Sequence, residues 1–369
     1  MTTIAGRVVT PRGVLDPGWV LVRDGRIDAV GEGSRPDADL AADWVLPGFV
    51  DLHVHGGGGT DFQSGDPADV ARVVELHRAH GTTTMLASLV TAPLGELARA
   101  TAALAELVTD GLIAGVHLEG PFLAAARCGA HDPALLRPPA RDDLERLLAA
   151  GRGTVRMVTV APELDGGPAA VELLAGNGVV AAVGHTDASY EQTASAVRAG
   201  ATVATHLCNG MRGVHHREPG PVLALLEDER VVVELINDGV HLHPAVIRSV
   251  LCTVGPRRVA LITDAMAAAG AGDGDYLLGG RPVHVRDGVA RLAAGDAVAG
   301  STLTLDEALR RTVAAGVPLP DAARALATTP ATVLGLDTGA VEPGLAADLV
   351  LLDEHLTVRT VLARGVPVA

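Results

Sequence analysis

Apolar and polar positions along the middle of the chain follow two alternating patterns. Short runs rich in Val, Ile, Leu and Thr read as buried strands, and each is followed by a longer segment whose apolar residues recur with helical spacing. The strand-like runs cover residues 49–55, 82–89, 114–120, 155–162, 179–186, 201–209, 231–238 and 259–265. Strands that alternate with helices form a parallel sheet, and eight such units close a (β/α)8 TIM barrel.

The two ends of the chain show a different pattern. Short β-rich runs are separated there by turn signals such as PRG, DPG and RDG, which is typical of small antiparallel sheets. We expect both ends to share one small β-sandwich domain, built from residues 1–46 and 336–369. The catalytic barrel would then span residues 47–335. The predicted fold class is therefore α/β, a TIM barrel with a small accessory β domain.

Composition narrows the chemistry. The sequence contains no lysine, so all 29 basic residues are arginines. This excludes catalysis through a lysine Schiff base, a P-loop, and a metal site bridged by a carbamylated lysine.

Charge and hydropathy indicate the setting. The net charge of −15 argues against nucleic acid and anionic membranes as partners. No apolar run reaches the roughly 20 residues of a membrane helix, and the N-terminus lacks the pattern of a signal peptide. We therefore expect a cytoplasmic protein with no membrane partner.

Polar residues mark the carboxyl ends of the predicted barrel strands, where barrel enzymes carry their active sites. His53 and His55 lie two residues apart on one strand and so on the same face. A lone histidine at a strand end is more often structural than a ligand. Several at the same end of one barrel favour a site for zinc, iron or a similar ion. The candidates are His53, His55, Glu119, His185, His206 and Asp264.

Eight motifs lie along nearly the whole chain: PGFVDLHVHG, HLEGPF, VGHTDA, THLCNGM, REPG, NDGVHLHP, LITDAM and VAGSTLTL. Together they resemble the N-acetylglucosamine-6-phosphate deacetylases of the amidohydrolase superfamily. The HxH pair is shared across the superfamily and is only moderately specific, whereas HLEGPF combined with HLCNGM, REPG and DGVH is far more specific. The resemblance implies removal of the acetyl group from N-acetyl-D-glucosamine 6-phosphate, giving D-glucosamine 6-phosphate and acetate.

The resemblance also implies a metal centre of one or two divalent ions per subunit. Glu119, His185 and His206 resemble the ligands of a principal ion. His53 and His55 resemble those of a second ion, which Glu119 would bridge to the first. Zinc is the expected metal, with Fe, Co, Mn and Cd as alternatives.

Catalytic and substrate residues are implied in the same way. Asp264 resembles the general acid/base that takes a proton from water and returns it to the leaving amine, and His131 is expected to assist it. Arg217 would reach the phosphate across the interface of a homodimer. The implied substrate contacts are Ala130, His131, Asn209, Gly210, Arg217, Asp238, Gly239, His241, Val298, Ala299 and Gly300.

Two other readings stay open at this point. One is a related amide-cleaving enzyme that acts on N-acetylgalactosamine 6-phosphate or an N-acyl-D-amino acid, since a change of epimer needs few altered contacts. The other is a non-catalytic barrel that serves as a binding protein or scaffold. A dihydroorotase-like enzyme is disfavoured because those usually need a carbamylated lysine.

Overall fold

The computed structural model of the chain describes residues 1–369. The chain begins with four strands of a mixed sheet, in which β1 pairs antiparallel with β2 and parallel with β4. Strand β3 lies antiparallel to β2 at the edge. The four strands are β1 (Thr2–Thr10), β2 (Gly13–Arg23), β3 (Arg26–Glu32) and β4 (Leu40–Pro47).

Eight parallel strands follow and form the barrel wall, with a two-residue hairpin after the first of them. Their side chains are almost all buried, as expected for strands covered on both faces. In chain order the elements are β5 (Phe49–Val54), the hairpin β6 (Gly56–Gly57) and β7 (Thr60–Asp61), β8 (Thr82–Val90), β9 (Gly115–Glu119), β10 (Val155–Val160), β11 (Val180–Val183), β12 (Val203–Ala204), β13 (Val232–Ile236) and β14 (Val259–Ile262).

The barrel closes between its last and first strands just beyond their carboxyl ends. The backbone N–H of Asp264 donates to the carbonyl of His53 at 2.8 Å, and that of His55 donates to Ala265 at 2.8 Å. The bonds that close the barrel therefore involve the predicted site residues His53, His55 and Asp264.

Strand β12 is much shorter than the predicted run 201–209, because the backbone turns to positive φ at His206 and leaves the extended conformation.

Seven helices alternate with the barrel strands and cover them. Helix starts follow the local sequence: Asp66 caps α1 by accepting from two backbone amides, and Ser189 with Gln192 forms a capping box at α5. Their apolar faces join the strands in a core of 69 buried residues. The helices are α1 (Pro67–Ala79), α2 (Leu94–Thr109), α3 (Arg141–Gly151), α4 (Gly167–Gly176), α5 (Tyr190–Ala199), α6 (Gly220–Glu227) and α7 (Pro244–Val254).

A small antiparallel sheet, which the sequence analysis did not anticipate, is inserted after the last barrel strand. It consists of β15 (Gly274–Leu278), β16 (Arg281–Arg286) and β17 (Val289–Leu292). Five of its residues belong to a cluster of nine buried apolar residues that also includes Val90 of β8 and Met266. The Arg281 guanidinium donates to the carbonyls of Ala130 and His131, at 3.1 and 3.0 Å. These two bonds anchor the sheet to the loop that carries the predicted catalytic residue His131.

The chain ends by returning to the first sheet. After α8 (Leu305–Ala314), α9 (Leu319–Ala323), a π-helical turn and α10 (Thr329–Leu334), strands β18 (Leu349–Leu352), β19 (Val358–Ala363) and β20 (Val366–Pro367) complete a seven-stranded sheet. Strand β18 pairs antiparallel with β4, and 11 buried apolar residues form a core there.

Both termini thus share one β unit beside a TIM barrel, and the predicted fold class is confirmed. The domain boundaries at residues 46/47 and 335/336 stay a prediction. None of the helices combines the length and the apolar character that crossing a membrane requires.

Candidate active site

A cavity of about 250 Å³ opens at the carboxyl ends of the barrel strands. Residues from the barrel loops and from the β15–β17 sheet surround it. Its lining consists of His55, Val90, Thr91, Glu119, Gly129, Ala130, His131, Asp132, His185, His206, Asn209, Gly210, His241, Asp264, Leu278, Gly279, Ala297, Val298 and Gly300.

Glu119, at the end of β9, faces two pairs of histidines with its two carboxylate oxygens. Oε1 lies 3.1 Å from His185 Nε2 and 2.9 Å from His206 Nε2, which together form the His185–His206 half-site. Oε2 lies 3.1 Å from His55 Nε2 and 3.5 Å from His53 Nε2, which form the His53–His55 half-site. One carboxylate is therefore placed between two groups of nitrogen donors.

The hydrogen bonds behind the rings determine which ring nitrogen carries the proton. His55 Nδ1 lies 3.1 Å from the carbonyl of Ser88, and His185 Nδ1 lies 2.8 Å from the carbonyl of Arg127. A carbonyl can only accept, so both Nδ1 atoms carry hydrogen and both Nε2 atoms turn lone pairs inward in the neutral rings.

Those inward lone pairs make the donor set suitable for a cation. The two Nε2 atoms within each half-site are only 3.1 Å apart, and each pair also faces a carboxylate oxygen. Lone pairs at such distances repel each other unless a proton or a metal ion lies between them. Imidazole nitrogen and carboxylate oxygen are the ligands that zinc and similar ions prefer. The site atoms of four residues fall within 4.8 Å of one another: His53, His55, Glu119 and Asp264.

Three of the site residues have unusual backbone conformations. The φ angles of His185, His206 and Asp264 are 47°, 27° and 49°, in the left-handed region that residues other than glycine rarely adopt. Surrounding bonds hold them there; for example, Ser301 N–H donates to the carbonyl of Asp264 at 2.7 Å. Strain of this kind concentrates at functional sites.

Two glycines allow the neighbouring loops to close on the His185 ring. A Cβ atom on Gly210 would lie 2.9 Å from His185 Nδ1, and one on Gly129 would lie 3.2 Å from His185 Cε1. Both glycines also have positive φ, +58° and +54°. The close approach therefore depends on the absence of a side chain at both positions.

His131 has the opposite proton arrangement from His55 and His185. The backbone N–H of Thr91 donates to its Nδ1 at 3.4 Å, and the Thr91 hydroxyl lies 2.8 Å from the same atom. Nδ1 is therefore an acceptor, and hydrogen resides on Nε2, which points to Glu119 Oε2 at 3.4 Å. Burial lowers the pKa of His131 to about 4. His131 is thus a neutral imidazole with an N–H donor directed into the cavity.

Asp264 lies opposite Glu119 and against the His53–His55 half-site. Its Oδ1 is 3.1 Å from His55 Nε2 and 3.5 Å from His53 Nε2. Burial opposes the charged form, but His53 and His55 outweigh it and lower the pKa of Asp264. At His55, burial opposes the charged ring, but the carboxylates of Asp264 and Glu119 outweigh it and raise the pKa of His55 to about 9. The carboxylate is therefore ionised at neutral pH.

Most of the predicted substrate contacts line the cavity. These are Ala130, His131, Asn209, Gly210, His241, Val298 and Gly300. The other four do not: Arg217, Asp238, Gly239 and Ala299.

The four remaining residues have other surroundings. Gly239 is exposed, at a bend where its φ is 80°. Asp238 lies behind His241 and contacts its Nδ1 at 2.7 Å. Ala299 is fully buried, and its N–H donates to the carbonyl of Ala290. Arg217 projects from an exposed loop and contacts His216.

Several site residues were missed from the sequence. Leu278 and Gly279 come from the unanticipated β15–β17 sheet, so no local pattern connected them to the barrel. Glu234 is fully buried beside His53, 3.3 Å from its Nδ1. A signal for Glu234 was present, because a charged residue interrupts the apolar run VVVELI of a central strand.

The sequence profile of the amidohydrolase family matches residues 44–368. The chain belongs to this family. Among curated relatives, an N-acetylgalactosamine-6-phosphate deacetylase from Escherichia coli O157:H7 is 39% identical to this chain. The alignment covers 98% of this chain and 97% of the relative. An N-acetylglucosamine-6-phosphate deacetylase from Vibrio furnissii is 36% identical, with 87% of this chain and 82% of the relative covered.

Solved structures agree with this relationship. One is an N-acetyl-D-glucosamine-6-phosphate deacetylase from Mycobacterium smegmatis, solved as an aspartate-to-alanine mutant in complex with N-acetyl-D-glucosamine 6-phosphate. It is 50% identical to this chain and superposes with a TM-score of 0.98, covering 100% of this chain and 99% of that protein. The Thermotoga maritima N-acetylglucosamine-6-phosphate deacetylase is 32% identical with a TM-score of 0.91 over 98% of both chains. The resemblance expected from the sequence motifs is confirmed.

Proposed function

We propose that the chain hydrolyses the acetamide of N-acetyl-D-glucosamine 6-phosphate, giving D-glucosamine 6-phosphate and acetate. The observation that carries this proposal is the juxtaposition, in one cavity, of an ionised Asp264, an N–H donor on His131 and a cluster of inward-facing ligand atoms around Glu119. Amide hydrolysis requires a base for water, a proton for the leaving nitrogen and stabilisation of the developing oxyanion.

The metal centre is part of the proposal. Glu119, His185 and His206 would hold a principal ion, and His53 and His55 a second ion that shares Glu119. A bound divalent ion supplies acidification of water and polarisation of the acyl carbonyl. We propose zinc, with Fe, Co, Mn and Cd as alternatives, because nitrogen and carboxylate donors suit all of these ions.

Asp264 then transfers the protons, and His131 stabilises the oxyanion. Asp264 accepts a proton as water oxygen bonds to the acyl carbon, and returns it to the amide nitrogen as the C–N bond breaks. Because Oδ1 already lies within 3.5 Å of two ligand histidines, the carboxylate is close to where the reacting water must sit. His131 donates its Nε2–H to the carbonyl oxygen as negative charge develops there.

Tight phosphate recognition calls for a guanidinium, which one subunit does not supply at the cavity wall. No arginine lines the cavity, and the chain has no lysine. We propose that Arg217 enters the cavity of a second subunit in a homodimer and binds the phosphate with its guanidinium fork. Its position on an exposed loop, with Val214 56% exposed nearby, supports an interface at this face.

A second substrate is favoured by one observation. The E. coli relative, which matches this chain over nearly its whole length, is an N-acetylgalactosamine-6-phosphate deacetylase. The two sugars differ in one hydroxyl epimer, so the same floor of ligands would serve both. An N-acyl-D-amino acid is a weaker candidate, because it has no phosphate for Arg217.

We also propose that the protein resides in the cytoplasm and that its catalytic barrel spans residues 47–335.

The test is a comparison of kcat/KM for the two phosphorylated sugars with zinc-loaded enzyme. We expect the gluco form to be preferred. Faster turnover of the galacto form would make that sugar the proposed substrate. If the enzyme turns over neither sugar, the proposal is overturned.

A second experiment tests the metal centre. Treatment with a chelator should abolish acetate release, and added zinc should restore it. Activity that survives complete metal removal would contradict the metal centre.

A further inference from the structure

Glu234 occupies an unusual position for a carboxylate. It lies in the middle of β13, is 0% exposed and has no arginine in ion-pair contact. Burying a charged group is costly unless hydrogen bonds or opposite charge compensate for it. The proposed proton transfers do not involve Glu234, so its presence needs a separate physical reason.

Both contacts of Glu234 are made by one oxygen. Oε2 lies 3.3 Å from His53 Nδ1 and accepts from the backbone N–H of His206 at 3.2 Å. Oε1 has no hydrogen-bond partner. His53 is its sole ion-pair partner. The carboxylate is therefore committed to two residues, both of which are site histidines.

The two histidines belong to different half-sites. The contact with His53 holds its Nδ1 proton and directs Nε2 towards the His53–His55 half-site. The contact with His206 restrains a backbone with φ 27°, which directs its side chain towards the His185–His206 half-site. A carboxylate behind a ligand histidine fixes the ring's tautomer and orientation, and its loss typically weakens metal binding.

We propose that Glu234 is a positioning residue that holds both half-sites of the metal centre in register, so that its loss weakens divalent-ion binding at both. This inference rests on the metal centre proposed above, and it assigns Glu234 no contact with substrate. It differs from a purely structural role, in which Glu234 would stabilise the barrel and leave metal affinity unchanged.

Two variants test the inference. Glu234→Gln keeps the shape and one acceptor oxygen, whereas Glu234→Leu removes both acceptors. Apo-protein is titrated with zinc in competition with a fluorescent chelator, and bound zinc per subunit is counted by elemental analysis. We expect zinc affinity to fall about 10-fold in the glutamine variant and about 100-fold in the leucine variant. We expect kcat to fall in the zinc-saturated variants while KM stays within about twofold of the wild-type value, since Glu234 does not line the cavity.

Asp306→Asn is a matched control. Asp306 is also a buried carboxylate that contacts a histidine Nδ1, that of His80 at 3.0 Å, but neither residue lines the cavity. This variant should lower the Tm and leave zinc affinity and stoichiometry unchanged. It therefore separates loss of a buried carboxylate–histidine contact from loss of a ligand's support.

The results distinguish the alternatives. Zinc affinity within about twofold of wild type in Glu234→Gln and in a folded Glu234→Leu protein would overturn the inference, as would weakening confined to one of two bound ions. If the leucine variant does not fold, as judged by circular dichroism, the glutamine variant decides. Because the titration uses no substrate, an error in the proposed sugar would not affect it; a wild-type protein that binds no zinc would instead refute the metal centre itself.

Discussion

The floor of the active site, by which we mean the five predicted metal ligands and Asp264, lies at the ends of the barrel strands, whereas the rim of the cavity stands on loops and on the β15–β17 sheet. Every floor residue is at most 8% exposed. The predicted phosphate ligand Arg217, in contrast, lies on a fully exposed stretch of loop. Floor side chains are held by hydrogen bonds from behind, such as those of His55 and His185 to backbone carbonyls.

The difference indicates that the floor and the rim have separate functions, bond cleavage and phosphate recognition. The groups proposed for bond cleavage all come from one chain, and rigid strands position all of them except His131 more accurately than loops can. The groups needed to recognise a phosphate are incomplete, because no arginine lines the cavity. Changes on the floor should therefore affect kcat, and changes at the rim should affect KM.

The largest effect is expected for Asp264→Asn. Without a proton acceptor, kcat should fall by about 10³- to 10⁴-fold, the upper range for general acid–base catalysis. Zinc content should stay at the wild-type level, which elemental analysis checks. A kcat within tenfold of wild type would remove Asp264 from the proposed role.

A smaller effect on kcat is expected for His131→Ala, which removes an N–H donor that the loop after β9 holds beside the floor. We expect kcat to fall about 10²-fold, as for the loss of one oxyanion donor, with little change in KM. Thr91→Val is the control, because the backbone N–H of Thr91 still donates to His131 Nδ1 and keeps its tautomer. An increase in KM alone for His131→Ala would show that the side chain binds substrate without stabilising the transition state.

At the rim, Arg217→Ala should raise KM for the phosphorylated sugar about 10- to 100-fold, as expected for a lost charge-assisted contact, with kcat nearly unchanged. Turnover of unphosphorylated N-acetylglucosamine should not change. Arg248→Ala is the control, because Arg248 is an exposed arginine on α7 that does not line the cavity.

Mixing the Arg217→Ala and Asp264→Asn proteins tests whether the arginine crosses between subunits. A mixed dimer contains one site with an intact Asp264 and an Arg217 supplied by the neighbour. Low KM should return for about half of the sites in such dimers, if subunits exchange. No recovery in demonstrated mixed dimers would place Arg217 in its own subunit's site.

The smallest expected effect concerns pH. Burial opposes the charged form of His241, but Asp238 outweighs it and raises the pKa of His241 above its ordinary value. A protonated ring binds substrate oxygens more strongly, so KM should rise several-fold as pH increases through that pKa. Asp238→Asn removes the raising partner and should move the rise to lower pH. Superimposable pH profiles of KM for the two proteins would contradict this.

The same division explains what sequence reasoning could predict. Strands buried on both faces appear as apolar runs, so all eight barrel strands were found, and residues that end such strands must meet at one face of the barrel. Floor candidates such as His53 and Glu119 were therefore accessible. Residues at the rim depend on how loops fold over the barrel.

Other features could not be read from local patterns. The tautomer of His131 depends on Thr91, 40 residues away along the chain. The short β12 results from a positive φ at His206, which nothing in the segment THLCN announces. Leu278 reaches the cavity because Arg281 binds the carbonyl of Ala130, a contact between segments that are 151 residues apart.

The pairing of β4 with β18 has a consequence for synthesis. Pro47 lies opposite Leu349, so the first sheet stays incomplete until nearly the whole chain has left the ribosome. Until then β4 has an unpaired edge, and such edges recruit other strands and promote aggregation. During translation the nascent protein thus passes through a long interval in which its N-terminal strands need shielding, and slow release or truncation before β18 should direct it to chaperones or into insoluble material.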